Sequence, residues 1–326
     1  MSARGLSGAG LLLLALFFAR ETLPGTRTFY LRDLEAQWFP QVESFVRALA
    51  EGAWPVWDPF PAFGQPMLAN PNTQILYPLT WLNLVLRPWT FYTLYFVTHL
   101  VLAGLGTRLA ARRLGASETA ALAAGALFLA GGPLLSLGNL WNHLAGAAWL
   151  PWAVAAALAP GPRAPLGWGA SIGLMVLAGS PDMALLGGLA SGALALALPQ
   201  GERRVAGRVA RAAGAALFAL ALSAGQWWPA LDWAREVGRL DLPRALRVYW
   251  AAEPAALWQA LLPVPWELLR SPGASPLFEG REPYLLSLYV GLPALGLARG
   301  PPPSRWPRSR WRRAWWPSAT SPRSTA

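Results

Sequence analysis

Two carboxylates stand in the first polar segment of the chain, shortly after an apolar stretch. Asp33 and Glu35 lie within the run Arg32–Pro40. Carboxylates near a membrane surface are costly unless water, a partner or a functional role offsets the cost. A carboxylate within hydrogen-bond reach of a hydroxyl can accept its proton, so Asp33 is the first candidate for a catalytic base. Glu35 is its neighbour, and the two acids together are the candidate ligands of a divalent metal ion. A solvated loop explains such a pair equally well.

A further acid and several polar residues complete the set of candidates. Asp58, between Trp57 and two prolines, is the second choice for the catalytic carboxylate. Its alternative role is to hydrogen-bond its own turn. Arginine can neutralise a phosphate group by paired hydrogen bonds. The candidate substrate-binding residues are Arg32, Gln37, Asn142, His143, Arg239 and Arg281.

Some polar residues also have a purely structural interpretation. Asn142 and His143 stand where two apolar runs meet, so they form either a turn or a wall of the site. Asp182 follows a proline at the start of an apolar run, which is typical of a helix N-cap. His99 lies inside an apolar run, where it either packs against a neighbouring helix by a hydrogen bond or binds a proton or ligand.

The composition of the chain restricts its class. Of the 326 residues 54% are hydrophobic and 13% are charged, whereas soluble domains carry about 25% charged residues. This excludes an ordinary cytosolic enzyme, and the apolar content excludes a disordered chain. Cysteine is absent, which excludes zinc ribbons, iron–sulfur sites, thiol catalysis and disulfide scaffolds.

The net charge of +11 does not indicate a nucleic-acid partner. All 27 basic residues are arginine, and seven of them fall within residues 299–326. The remaining 20 arginines face 16 acidic residues and stand mainly between apolar runs. A nucleic-acid surface needs clustered basic residues on a polar face. The chain is therefore expected to have membrane lipid, and no nucleic acid, as its partner.

Long uncharged runs predict membrane-spanning helices. A span needs roughly 20 apolar residues, and a helix satisfies its own backbone hydrogen bonds in hydrocarbon. One run, Thr119–Pro162, is about twice that length and is interrupted by a polar string, which predicts a hairpin of two helices. The fold class is therefore all-α, a bundle of about eight spans. The runs are Gly5–Ala19, Pro88–Thr107, Thr119–Pro162, Ala164–Pro181, Met183–Gly201, Ala212–Leu231 and Pro283–Ala298.

Arginine recurs in alternate short connections between the runs, which places those connections in the cytoplasm. The N-terminus is then also cytoplasmic, and the first run acts as an uncleaved signal-anchor. Two long segments, about 20–87 and 232–282, lie outside. The arginines that set this orientation are Arg108, Arg112, Arg113, Arg163, Arg203, Arg204, Arg208 and Arg211.

The first outer segment is aromatic and rich in proline. Within Gln41–Gly52, apolar residues recur at i, i+3, i+4 and i+7, which is one face of an amphipathic helix. Thr73–Leu86 is a second apolar stretch, and both predict helices lying at the membrane surface. Between them, the prolines of Trp54–Pro61 forbid helix. The segment is thus predicted to form either an active site or a structural cap.

Several short motifs, taken together, resemble one family. They are Arg-Asp-x-x-x-Gln-x-x-Pro at Arg32–Pro40, Gly-x-Trp-Pro-x-Trp-Asp-Pro at Gly52–Pro59, Gly64–Pro66, Tyr77–Leu79, Asn142–His143 with Trp149–Trp152, and Leu222–Pro229. In this order, over about residues 10–298, they are similar to the YfhO-like bacterial membrane proteins of the GT-C class of glycosyltransferases. Such chains often carry Gly-His-Pro-Gln where this one has Ala178–Asp182, and the sequence departs from the pattern there.

The resemblance implies a function and a site. It implies a GT-C-like fold and transfer of a sugar from a polyprenyl-phosphate donor to a cell-envelope acceptor, at the outer face of the bacterial inner membrane. In this class an acidic residue of the first outer loop serves catalysis, which corresponds by position to Asp33, with Glu35 beside it. The alternatives are a transporter or flippase for lipid-linked glycans and a non-catalytic assembly subunit.

The predicted domain boundary falls near residue 298. Residues 1–298 form the transmembrane domain, and residues 299–326 form a basic tail without acids or a helical period. We expect this tail to be disordered or non-native, as a truncated or frame-shifted gene would produce, and the chain would then be an inactive fragment. The alternative is a basic anchor for anionic lipid.

Overall fold

A computed structural model describes residues 3–29, 33–198, 204–238, 241–249, 254–262, 285 and 287–290. These residues are mostly helical, which confirms the all-α class. The strands within them are limited to one two-stranded antiparallel hairpin, β1 (Trp57–Asp58) with β2 (Gln65–Pro66). The helices are α1 Ala3–Ala19, α2 Phe39–Ala50, α3 Pro88–Arg113, α4 Glu118–Leu129, α5 Gly132–Ser136, α6 Trp141–Ala157, α7 Ala164–Leu177, α8 Pro181–Ala197, α9 Val205–Leu222, α10 Ala224–Glu236 and α11 Arg244–Arg247.

A helix stands at the position of each of the first seven predicted spans. Within the described residues, three helical stretches are long and apolar enough to cross a membrane: Pro88–Arg113, Glu118–Asn139 and Val205–Leu222. Shorter apolar helices cover Gly8–Ala19, Ala164–Leu177 and Pro181–Ala197. Most of the eighth predicted span, and the whole tail 299–326, lie outside the described residues.

The helices pack around α3 and α6. α3 contacts α1, α4 and α6, and α6 contacts α7 and α8, while α9 lies against α7. Small residues let these backbones approach closely. A Cβ built on Gly125 would lie 2.5 Å from the carbonyl oxygen of Gly104, and one built on Gly169 would lie 2.4 Å from that of Ala215. Glycine at these positions is therefore what brings α4 to α3 and α7 to α9.

The seventh predicted span ends earlier than the sequence predicted. The apolar run Ala212–Leu231 is divided at Ser223, between α9 and α10. The hydroxyl of Ser223 donates to the carbonyl of Ala219 at 2.7 Å, and Gln226 donates to the carbonyl of Leu68 at 3.1 Å. These bonds turn the chain toward the first outer segment, so α10 lies over that segment.

The first outer segment forms a compact cap. A π-helix, Leu34–Trp38, leads into α2. The amphipathic pattern predicted a helix at the position of α2, and its apolar residues Val42 and Phe45 are buried. The second predicted surface helix is instead a short 3₁₀-helix, Pro78–Leu84. Two further 3₁₀ turns, Pro61–Phe63 and Pro71–Thr73, each begin with a proline. Proline at the first position of a turn fixes φ without losing a needed donor.

A buried polar chain ties this cap to the bundle. His99 is completely buried, and its Nδ1 lies 2.7 Å from the carbonyl oxygen of Tyr95. A carbonyl only accepts, so Nδ1 carries the hydrogen, and Nε2 accepts from the hydroxyl of Tyr77 at 2.8 Å. The indole of Trp149 donates to the same hydroxyl at 2.9 Å. Both ring nitrogens of His99 are thus satisfied, which supports its packing role.

Candidate functional site

A cavity of about 630 Å³ lies where the cap meets the first turns of α6 and α8 and the side of α10. Its ionisable lining residues are Asp58, His143 and Asp182. Trp233 and the prolines at 40, 61, 71 and 181 supply apolar surface. Six carboxamides line the rest of the wall: Gln37, Gln41, Gln65, Asn70, Asn72 and Asn142.

Asp58 is the most buried acid of this site. It lies in β1 and is 2% exposed. Its Oδ1 accepts hydrogen bonds from the Ser44 hydroxyl at 3.0 Å and from the backbone N–H of Phe60 at 3.2 Å. The second bond is the local turn bond that the sequence offered as an alternative role. Asp58 therefore closes its own turn and also faces the cavity.

His143 and Asp182 contact each other in the wall of the cavity. The Nε2 of His143 lies 3.3 Å from Oδ2 of Asp182, and the hydroxyl of Ser180 donates to Oδ1 of Asp182 at 2.9 Å. Partial burial acts to raise the pKa of Asp182, but bonding and charge from His143, with bonds from Ser180 and the Met183 backbone, lower it below its usual value. Asp182 is thus held as a carboxylate anion.

The orientation of Asn142 is fixed by its neighbours. Its Nδ2 donates to the carbonyl of Gly179 at 3.2 Å and to Oδ1 of Asn72 at 3.0 Å. The carboxamide oxygen therefore faces Nδ1 of His143, at 2.8 Å, and Nδ1 must carry a hydrogen. Asn142 in this way connects α6, the end of α7, the cap and the His143–Asp182 pair.

The structure brings together four of the residues predicted from the sequence: Gln37, Asp58, Asn142 and His143 all line the cavity. Asp33 does not itself line the cavity, but it contacts a residue that does. Nε2 of Gln37 donates to Oδ1 of Asp33 at 3.4 Å. Glu35 is exposed and does not line the cavity, and Arg32, Arg239 and Arg281 lie outside the described residues.

Asp182 and Gln41 are two of the lining residues that were not among the predicted site residues. Asp182 was interpreted as an N-cap, but Ser180 holds that position and Asp182 lies in the first turn of α8. Its signal was an acid in a predicted outer turn, as Asn142 and His143 are. Gln41 is 8% exposed, and its signal was a polar residue beside Val42 on the buried face of α2.

Among the residues that the structure describes, no group of three or more His, Asp and Glu side chains is placed to hold a metal ion. Asp33 and Glu35 differ in environment, because Asp33 is partly buried beside Gln37 whereas Glu35 is exposed. The pair Asp33 and Glu35 stays a prediction as the ligands of a divalent metal ion.

Comparison of the chain with known protein families, with curated proteins and with solved structures finds no match.

Proposed function

We propose that the cavity binds a sugar, and that the chain transfers it from a polyprenyl-phosphate donor to a cell-envelope acceptor at the outer face of the bacterial inner membrane. The observation that supports this is the lining of the cavity. Six carboxamides and two carboxylates surround a space of about 630 Å³, with the indole of Trp233 on one side. Carboxamides both donate and accept, as sugar hydroxyls do, and the ring of Trp233 offers an apolar face.

The position of the cavity fits a lipid-linked donor. Asp182 and His143 lie at the starts of two apolar helices, α8 and α6, and leucines on α8 are exposed, such as Leu185 at 63% and Leu189 at 63%. A polyprenyl chain would lie along such apolar surface while its sugar enters the polar cavity. The motifs shared with YfhO-like chains agree with this arrangement, since Asn142 and His143 belong to them.

The proposed reaction is a single displacement at the anomeric carbon. The acceptor hydroxyl oxygen forms the new bond, and the bond from the anomeric carbon to the phosphate oxygen breaks, with the electron pair leaving on the phosphate. Asp33 takes the hydroxyl proton. Its hydrogen bond with Gln37, a residue of the cavity wall, supports Asp33 as the group that meets the acceptor hydroxyl. Arg32, Arg239 and Arg281 remain the proposed partners of the phosphate.

We propose the full topology of eight spans with a cytoplasmic N-terminus. Because the chain has no cysteine, single cysteines can report their side of the membrane by reaction with an impermeant thiol reagent. A cysteine replacing Ala50, at the end of α2, is expected to react from outside in intact cells. A cysteine replacing Ala206, in the first turn of α9, is expected to react only after the cells are opened. The reverse pattern would show that the orientation is wrong.

Proteoliposomes test the proposed reaction against its alternatives. The intact protein is reconstituted with labelled polyprenyl-phosphate sugars and envelope acceptors, and product formation and lipid sidedness are measured separately. A glycosyltransferase forms labelled acceptor. A flippase moves the donor between leaflets without forming product, and an assembly subunit does neither alone. Labelled acceptor above the protein-free background supports the proposal, whereas donor movement without product would replace it with transport.

A further inference from the structure

Asp58 is a buried carboxylate whose charge has no basic partner in the described part of the chain. The ion pairs there join other acids: Glu21, Glu43, Glu118, Asp182 and Asp232. A buried charge is costly unless an opposite charge and hydrogen bonds compensate it. Ser44 and the N–H of Phe60 supply hydrogen bonds from neutral donors, and both end on Oδ1. Oδ2 of Asp58 is left for a partner within the cavity.

A second acceptor on the same wall also lacks a partner. Gln41 lines the cavity and is 8% exposed. Its Oε1 is buried and accepts no hydrogen bond. Gln41 and Ser44 lie three residues apart on α2 and therefore share one helix face. Ser44 donates to Oδ1 of Asp58, so Gln41 and Asp58 belong to one region of the wall. A buried acceptor of this kind is destabilising until a donor reaches it.

The other charged residues that line the cavity do not supply a partner for Asp58 or Gln41. Asp182 is paired with His143, and none of the described lining residues is arginine. The wall near Asp58 thus lacks a positive charge and offers two hydrogen-bond acceptors. The ligand group that satisfies both is a cation with several N–H donors. An ammonium group has three such donors and can bond to both oxygens at once.

We propose that the sugar bound in this cavity carries a free, protonated amino group, and that this ammonium pairs with Asp58 and donates to Gln41. The inference rests on the proposed function, in that it takes the cavity to be the sugar site. It adds the class of the sugar: an amino sugar, in preference to a neutral, N-acetylated or acidic one. Asp58 then acts in binding, and the proton acceptor is Asp33.

Equilibrium binding to the full-length chain in nanodiscs tests this assignment. The probes are glucosamine, glucose and N-acetylglucosamine, and their binding is measured by saturation-transfer NMR. We expect the Kd for glucosamine to be at least about tenfold lower than the Kd for the other two, because a charge-assisted bond is roughly twice as strong as a neutral one. N-acetylglucosamine keeps the nitrogen but loses its charge, which isolates the charge from the size of the substituent.

Two substitutions locate the effect. Asp58→Asn is expected to raise the Kd for glucosamine at least about tenfold, so that the preference for glucosamine over glucose is lost. Asp232→Asn is the matched control, because Asp232 is exposed, pairs with Arg235 at 3.1 Å and does not line the cavity. It is expected to preserve the preference for glucosamine.

Several results would overturn the inference, and the first needs no variant. Equal affinity of the native chain for glucosamine and glucose removes the amino-sugar assignment but leaves the proposed sugar site standing. A preference that survives Asp58→Asn places the ammonium elsewhere and also rejects it. Binding of Mg²⁺ alone that depends on Asp58, without a glucosamine preference, would make the partner a metal ion. Binding of none of the three sugars would reject the sugar site itself.

Discussion

Replacement of Asp33 by asparagine is expected to lower sugar transfer about 10²–10⁴-fold without affecting the fold. The substitution keeps the size of the side chain and the hydrogen bond to Gln37, but an amide cannot take up the acceptor proton. The carboxylate has the position for this role, because its partner Gln37 lines the cavity. The measurement is the initial rate of transfer in proteoliposomes, at matched protein content.

Two companion variants give this experiment its controls. Asp232→Asn changes an exposed aspartate outside the cavity and is expected to transfer at the native rate. Glu35→Gln is expected to have a smaller effect than Asp33→Asn, since Glu35 is exposed, unless the two acids share a metal ion. Full activity of Asp33→Asn at normal expression rejects the assignment. If Asp58→Asn alone abolishes transfer but still binds every sugar normally, the proton acceptor is Asp58.

Replacement of Gly179 by alanine is expected to lower the Tm of the detergent-solubilised protein by roughly 5–10 °C. Gly179 has φ +75°, where a residue with a Cβ costs about 1–2 kcal/mol. The added Cβ would also lie 2.3 Å from the carbonyl oxygen of Pro71 and 3.3 Å from the Cβ of Asn142. Relieving this contact moves the cap away from α7, which adds about 1–3 kcal/mol.

Gly161→Ala is the matched control for this contact. Gly161 has φ +92°, but an added Cβ meets nothing within 4 Å. This variant therefore carries the backbone strain without the collision, and its Tm is expected to fall by less than half as much. Equal losses of Tm in the two variants would show that the cap does not contact the bundle at Pro71 as described. The predicted sugar site would then lose one of its walls.

Much of the helical framework could be predicted because uncharged runs report on helices directly. The runs beginning at Pro88 and Ala164 became α3 and α7 with close agreement at their first residues. The amphipathic spacing of Val42 and Phe45 gave α2 for the same reason, since burial of one helix face imposes a 3.6-residue period. Local composition is enough to predict a helix whose burial follows one simple pattern along its length.

The break at Ser223 and the 3₁₀-helix Pro78–Leu84 could not be predicted in this way. Ser223 lies within an uncharged run, so the run shows no break there. The turn at Ser223 depends on the hydrogen bond from Gln226 to the carbonyl of Leu68, a residue distant in the chain. A tertiary contact decides such a point, and apolar content cannot reveal it. The predicted surface helix at 73–86 failed similarly, because Gln74 and Tyr77 are held by hydrogen bonds to the bundle.

The site itself was predictable in part. Gln37, Asp58, Asn142 and His143 were named from their types and positions, yet nothing in the sequence showed that α6 and the hairpin would face each other. The pairing of His143 with Asp182 follows from how α8 starts beside α6, and the burial of Gln41 follows from how α2 packs on the hairpin. Both depend on packing between elements, which residue spacing alone does not give.

Comparison of cell-envelope glycans with and without the gene tests the central claim most directly, because the cell supplies the native donor and acceptor. The account predicts that deletion removes one sugar substituent from an envelope glycan and that the matching polyprenyl-phosphate sugar accumulates. The native gene should restore the substituent, and the Asp33→Asn gene should not. Identical glycans and lipid-linked sugars in the two strains would contradict the claim that this chain transfers a sugar.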